Sequence, residues 1–288
     1  MESATSEGKT KPLDKAVLDR INPVTSSLWL HFNEHYLNVL VLEKSGQELI
    51  FETGFSDIWN QNPGTILAEI SQQAPVLKEK FSTSGAIFTG AFDSLIPDNL
   101  ISGGDAGVLQ NFLSENKNTE APKEGLGIPQ LGARVIFSPP LHAKALKEAF
   151  YLPGGINHSS QFSIPFGLQH NKNSQSKKVI CFIYPGWVEI MAFNGSKLQL
   201  YNGFGFQTET DCLYFIMGSF DALGFNPENT PLELAGGSAM APEIKKSLEK
   251  YVRYISFIPL PGTLKKGAVQ NDLKESEKGV FLIHSQCA

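Results

Sequence analysis

Cysteine is scarce in this chain: three residues in 288, at Cys181, Cys212 and Cys287. Their spacing fits neither a zinc site nor a disulfide framework, so a reducing compartment is expected. No apolar run approaches the ~18–20 residues that a membrane span needs. The first 25 residues are polar and lack the apolar core of a signal peptide. Basic residues are too thinly spread for nucleic acid. Lysines come as the pairs Lys177-Lys178, Lys245-Lys246 and Lys265-Lys266, with no interleaved aromatic stripe, and the net charge is −5. These absences give the expectation of a cytoplasmic protein with no nucleic-acid partner and no membrane span.

What is present is enough apolar material for a sizeable core, 41% hydrophobic against 18% charged. The most ordered pattern lies in Val179–Phe206, VICFIYPGWVEIMAFNGSKLQLYNGFGF. It reads as three short antiparallel strands joined by turns at Pro185-Gly186 and Asn194-Gly195. Proline presets φ, glycine accepts a positive φ, and asparagine tolerates one. The same pattern occurs in Leu28–Phe55. Tyr36 answers to Trp187, Asn38 to Glu189 and Leu42 to Phe193. After a second turn two residues longer, at Lys44-Ser45-Gly46, Leu49 answers to Leu198, Phe51 to Leu200 and Gly54-Phe55 to Gly203-Phe204. Two copies of a meander point to two similar lobes, not to a solenoid.

Around the meanders the chain alternates between strands and helices. A helix is expected from Asn62-Pro63, with Ile66, Leu67 and Ile70 on its apolar face and Pro75 at its end. Gly85–Phe88 reads as a buried strand, Ala106–Leu113 as a helix, Asn116–Gln130 as a surface loop and Arg134–Phe137 as a strand. Ser138-Pro139 is expected to start the next helix, through Phe150. The polar stretch His170–Lys178 is expected to mark a domain boundary. Beyond the second meander, Thr208–Asp211 reads as a capping-box start to a helix stopped by Gly224. LELA, Leu232–Ala235, is a strand, and Pro242 opens a helix with Ile244, Leu248 and Tyr251 on one side. Tyr254–Ile258 is a last strand. The expected division is 1–25 as a disordered or arm-like segment, 26–170 and 171–260 as two lobes, and 261–288 as a polar tail.

Meander, helix, strand and helix in each half resembles the actin-like ATPase superfamily, and the order is similar to that of an uncharacterised bacterial family of unknown function with an actin-like fold. The resemblance implies an α/β, two-lobed, ribonuclease H-like fold, each lobe opened by a three-stranded antiparallel meander, with a cleft between the lobes. LELAGGSAMAPEI, Leu232–Ile244, is similar to the adenosine-side segment of that superfamily, so Gly236, Gly237 and Ser238 are the cofactor-binding candidates. The superfamily also carries an Asp and a Gly-rich turn in each first hairpin. Here those positions hold His31 with Asn33-Glu34-His35, and Phe182 with Tyr184-Pro185-Gly186-Trp187. Its phosphate-binding and metal-positioning residues therefore do not carry over. No catalytic residue and no metal ligand is assigned, and His31 and His35 read as ordinary polar turn residues. Gly203-Phe204-Gly205-Phe206 before the Thr208 helix reads as a packed turn, not an anion loop. The expectation is a non-catalytic binding or scaffold protein with an unidentified protein partner and no required cofactor. The alternative is an ATPase or small-molecule kinase with altered phosphate contacts.

Overall fold

The computed structural model describes residues 15–43, 48–56, 63–91, 93–101, 123–236, 241–258 and 265–266. They form two compact units, between which the chain passes more than once. Residues up to Ala86, 144–155 and 265–266 belong to the first; 87–143 and 156–258 belong to the second.

The first unit opens with a short helix α1 (Lys15–Leu18) and a meander of β1 (Ser26–Phe32), β2 (Tyr36–Glu43) and β3 (Glu48–Ser56). Alternating apolar residues make the meander, yet both faces of β1 and β2 are covered: Leu28, Leu30, Phe32, Leu37, Val39 and Val41 are buried on one face, and Trp29, Leu40 and Leu42 on the other. Helix α2 (Pro63–Gln73) follows, starting on Pro63 as expected and burying Leu67 and Ile70. Strand β4 (Thr83–Phe88) comes next. A two-residue strand β14 (Lys265–Lys266) lies on the far edge, so the order is β14-β3-β2-β1-β4. Helix α4 (Ala143–Ala149) crosses into this unit at Lys144. It starts later than Ser138-Pro139 predicted, because Pro139-Pro140 holds the chain extended before it.

In the second unit β9 (Lys177–Tyr184), β10 (Trp187–Asn194) and β11 (Lys197–Gly205) form the other meander. Helix α6 (Glu209–Ala222), β12 (Leu232–Gly236), α7 (Ala241–Leu248) and β13 (Ile255–Phe257) complete a sheet of order β11-β10-β9-β12-β13. β12 runs parallel to both β9 and β13. Its core holds Val179, Cys181, Ile183, Val188 and Ile190 against Ile216 and Phe220 of α6 and Ile244 and Leu248 of α7. Tyr251, expected on the same side of the helix as Ile244 and Leu248, lies beyond it and is half exposed: α7 ends at Leu248, so the helical period no longer places it.

The internal repeat is real at the level of register. Tyr36 pairs with Ser56 as Trp187 pairs with Gly205, and Asn38 with Gly54 as Glu189 with Gly203. The irregularity falls at the matching place too, between Val41 and Leu42 and between Ala192 and Phe193. Such bulges are specific to position, so two meanders sharing one point to a common ancestor more strongly than their few identical residues do.

Two features of the second unit depart from the sequence reading. Part of the expected surface loop Asn116–Gln130 is a strand, β6 (Lys123–Ile128), which pairs antiparallel with β7 (Ala133–Phe137). β7 also pairs antiparallel with β5 (Asp93–Pro97), so it belongs to a separate three-stranded sheet, β5-β7-β6. The polar and glycine residues of β6 hid it, since its hairpin pairing with β7 across residues 129–132 supplies what local propensity does not. A short helix α3 (Asp98–Ile101) follows β5, and Arg134 Nε bonds Asp98 Oδ1 at 2.9 Å. The second feature is α5 (Ser160–His170), directly after β8 (Ile156–His158). His170 is therefore the last residue of a helix, and the polar stretch after it leads directly into β9 within the same unit. The expected helix Ala106–Leu113, the turn Lys44–Gly46 and residues 1–14 lie outside the described residues.

Candidate functional site

The first hairpin is closed by its own side chains. Asn33 accepts hydrogen bonds at Oδ1 from the backbone N–H of His35 (2.7 Å) and of Tyr36 (3.1 Å), an Asx turn, and its own N–H bonds the Tyr36 carbonyl at 3.1 Å. That leaves Glu34-His35 as an exposed two-residue tip. His31 is not a turn residue, as its place in the sequence suggested: it lies in β1 and is buried. Its ring meets Tyr36 edge-on, and Tyr36 Oη lies 3.0 Å from His31 Nδ1. The short turn brings the two together, because strand residues two before and one after the Asn33-Glu34-His35 bend share a sheet face.

The second hairpin is closed as tightly. Tyr184 and Trp187 pair across Pro185-Gly186, and Gly186 has φ 71°, as a proline–glycine turn requires. Phe182, at the position matching His31, is fully buried and meets Phe166 of α5 edge-on at 5.9 Å. Tyr184 is fully buried as well. Trp187 lies flat over β11: a Cβ on Gly203 would stand 2.5 Å from Trp187 Cζ2. Of the two turns, Asn33-Glu34-His35 and Pro185-Gly186, only the first holds a carboxylate, Glu34, at its exposed tip.

Gly236 is the last residue of β12, in parallel register with Ile183 of β9. Gly237 and Ser238, the other two candidates, lie outside the described residues. At the start of α6 the expected capping box is present: Thr208 Oγ1 accepts from Asp211 N–H at 3.2 Å, and Asp211 Oδ2 accepts from the N–H of Thr208 (2.9 Å) and of Gln207 (3.1 Å). These bonds hold the Asp211 carboxyl below its usual range. The helix end is already served by its own carboxylate, which repels any second anion. Gly203-Phe204-Gly205 is not the packed turn expected but the end of β11, paired with Glu189, Val188 and Trp187 of β10.

Sequence reasoning did not single out the densest polar cluster of the second unit. His158, Ser159, Ser160 and Ser163 at the start of α5 are completely buried, and Gln161 nearly so, beside Glu189 of β10. The Ser159 hydroxyl donates a short hydrogen bond to Glu189 Oε1. His158 Nδ1 lies 2.7 Å from Ser160 Oγ and 3.2 Å from Ser160 N, while Nε2 lies 3.0 Å from the Gly90 carbonyl. That places the imidazole proton on Nε2 and leaves Nδ1 to accept. Strand β6 closes over the cluster, with the Gln161 amide so close to Gly125 that a Cβ there would stand 2.6 Å from it. Chemically the serine–histidine and serine–carboxylate contacts resemble parts of a nucleophile relay, yet each member is sealed from solvent. The signal in the sequence was Glu189 inside the apolar run WVEIMAF, and the polar run NHSSQ before an apolar stretch.

At the other end of α5, Asn171 closes the helix, its N–H and Nδ2 both donating to the Gly167 carbonyl. His170 stacks on Phe166 and bonds Glu233 Oε2 at 2.6 Å, while Lys178 Nζ bonds Glu233 Oε1 at 2.7 Å. Burial works to raise the Glu233 pKa, but these two partners outweigh it and hold the carboxyl below its usual range. Among the described residues no group of three His, Cys, Asp or Glu is placed to hold a metal ion, and no helix is long and apolar enough to cross a membrane.

Comparison with known proteins agrees with this architecture. A Bacteroides thetaiotaomicron protein, described as having an actin-like ATPase fold and unknown function, is similar with a TM-score of 0.69 at 15% identity, over 90% of this chain and 96% of that one. A chain of the PilM–PilN type IV pilus biogenesis complex is similar with a TM-score of 0.57 at 9% identity, over 92% and 98%. At these identities the likeness shows the fold, which is actin-like. No curated protein matches the sequence. Residues 14–255 match the family described as "Protein of unknown function (DUF3822)", and the chain belongs to that family.

Proposed function

We propose that this chain is a non-catalytic, cytoplasmic actin-like protein that works by binding another protein. The observation that carries this reading is the closure of both first hairpins by bulky side chains. Phosphoryl transfer depends on backbone donors and Mg²⁺ placed around the phosphates. Backbone can approach phosphates where glycines leave room, and Mg²⁺ is held through oxygen ligands. The first hairpin instead buries His31 against Tyr36, and the second buries Phe182 and Tyr184 around a two-residue turn. The residues present do not fit Mg-ATP. Gly236, Gly237 and Ser238 would hold at most the adenosine side of a nucleotide. A protein partner is supported by the PilM–PilN complex, in which a chain of this fold was solved with another protein.

Phosphate release by pure protein with Mg-ATP tests the reading, together with a thermal-shift titration of nucleotide with and without Mg²⁺. Release indistinguishable from buffer, and no Mg²⁺-dependent shift, are the expected results. Turnover that disappears in Glu34→Ala would instead establish an ATPase or kinase with altered phosphate contacts.

A further inference from the structure

We propose that the outer edge of β11 pairs antiparallel with the β11 edge of a second copy of this chain, about a two-fold axis at Asn202. Among the described residues, the sheet of the second unit ends on β13 at one edge and on β11 at the other. β13 is three residues long, β11 nine. Sheets blunt their edges with short strands, prolines and charges, and a long edge without them can template another strand. β11 contains no proline, and its one charged residue is Lys197 at its start. Its backbone is also oriented for pairing. Phe206 donates its N–H to the Gly186 carbonyl at 3.0 Å, on the β10 side. Backbone groups turn to alternate sides along an antiparallel strand, so those of Gly203 and Gly205 point outward. The Gly203 N–H donates to Asn202 Oδ1 at 2.9 Å, a bond within the strand that an incoming carbonyl can replace.

The residues of the strand select a second copy as the occupant. A two-fold axis perpendicular to the sheet sets β11 antiparallel to itself and keeps the α6 side of both copies on one face. Residues opposite one another then share a face, so the axis passes through a residue and not between two. With the axis at Asn202, Leu200 comes beside the second copy's Phe204, and both already pack on the core beneath α6. On the other face Tyr201 comes beside the second copy's Gly203, over which Trp187 lies. Asn202 is exposed and meets its own copy, amide to amide. An axis one residue away would set Asn202 against Phe204 or Leu200 instead. Antiparallel pairing at Asn202 also holds the two Lys197 side chains about 34 Å apart, while parallel pairing would bring them side by side. Beside this edge Phe204 stacks on Phe215 with ring centroids 4.5 Å apart, and Phe215 meets Tyr214 edge-on at 5.6 Å. Tyr214 is 72% exposed, so apolar surface continues from the edge strand onto α6 and adds to what the second copy can cover.

Sedimentation velocity of the full chain over a concentration series tests this, with Asn202→Lys and Asn202→Asp as variants. The unmodified chain is expected to pass from monomer to dimer as concentration rises. Each variant alone sets like charges against one another at the axis and is expected to weaken the dimer by about tenfold or more. Mixed in equal amounts, the two variants set opposite charges there and are expected to recover the association that each has lost, which a folding defect would not allow. A dimer that either variant leaves unchanged, or a mixture no tighter than its components, would overturn the proposal. So would a chain that stays monomeric at every concentration, and slow exchange of the Gly205 amide in that monomer would assign the edge to another strand of the same chain.

Discussion

Ser159 and Glu189 show how much a single buried contact can hold. The carboxylate has no solvent, and the hydroxyl that reaches it comes from the residue preceding α5. Hydrogen bonds to charged groups contribute about 1.5–3 kcal/mol, and the larger loss comes when one partner is left behind in the interior. Ser159→Ala is therefore expected to lower the urea-unfolding free energy by about 2 kcal/mol. Combining it with Glu189→Gln should cost less than the sum of the two single changes, because both remove the same bond. His142 gives the complementary case. Burial lowers its pKa from 6.5 to about 4. Between those values the folded protein keeps the ring neutral while the unfolded chain protonates it, so the unfolded state binds more protons and stability falls as pH falls through that window. Urea midpoints measured from pH 7 to pH 4 should drop less steeply in His142→Gln than in the native protein.

Helix α6 is the element whose start and stop are both written in local sequence. Thr208 and Asp211 cap its first turn reciprocally, and Gly224, with φ 58°, closes its end in the left-handed region. Thr208→Ala is expected to cost about 1 kcal/mol in chemical denaturation. Asp211 adds a pH dependence of opposite origin to that of His142. Its pKa is held down in the folded state, so its contribution is present above the ordinary carboxylate range and is lost as pH falls through the lowered value. Helix α5 is the contrasting element. It contains Pro165 and buries Ser160, Gln161 and Ser163 beside Phe162 and Ile164, so no polar face marks it in sequence. A helix covered on nearly all sides loses the amphipathic period by which surface helices are read.

For the whole molecule, two thiols report on the opening of the second unit. Cys181 lies in β9 and Cys212 in α6, both inside the same core. Burial pushes the Cys212 thiol up to about 12 and the Cys181 thiol well above its ordinary value, each further raised by a neighbouring group, Asp211 for Cys212 and Cys212 for Cys181. A thiolate is the reactive form, so both should resist an aromatic disulfide reagent at pH 8 until the core opens. Their labelling rate in increasing urea should follow the loss of near-ultraviolet circular dichroism. Prompt labelling of Cys181 or Cys212 in native buffer would show that the core around β9 opens independently of unfolding.

The sequence by itself determined the two meanders, the turns at Pro185-Gly186 and Asn194-Gly195, α2, α6 and the strand at Leu232, because each rests on local chemistry: alternation of apolar residues, Pro-Gly and Asn-Gly dipeptides, and caps. It also determined what the first hairpins lack, since His31 and Phe182 are legible as residues without any structure. Only the tertiary structure decided that His31 is buried against Tyr36, that the polar residues around 123–128 form a strand, and that NHSSQ and Glu189 meet. The contact of Ser159 with Glu189 joins residues 30 positions apart, and a pairing between distant segments leaves no period in either of them. Buried polar groups are the extreme case. Taken singly, Ser159 and Glu189 read as surface residues, and only the partner each finds in the folded chain makes their burial tolerable.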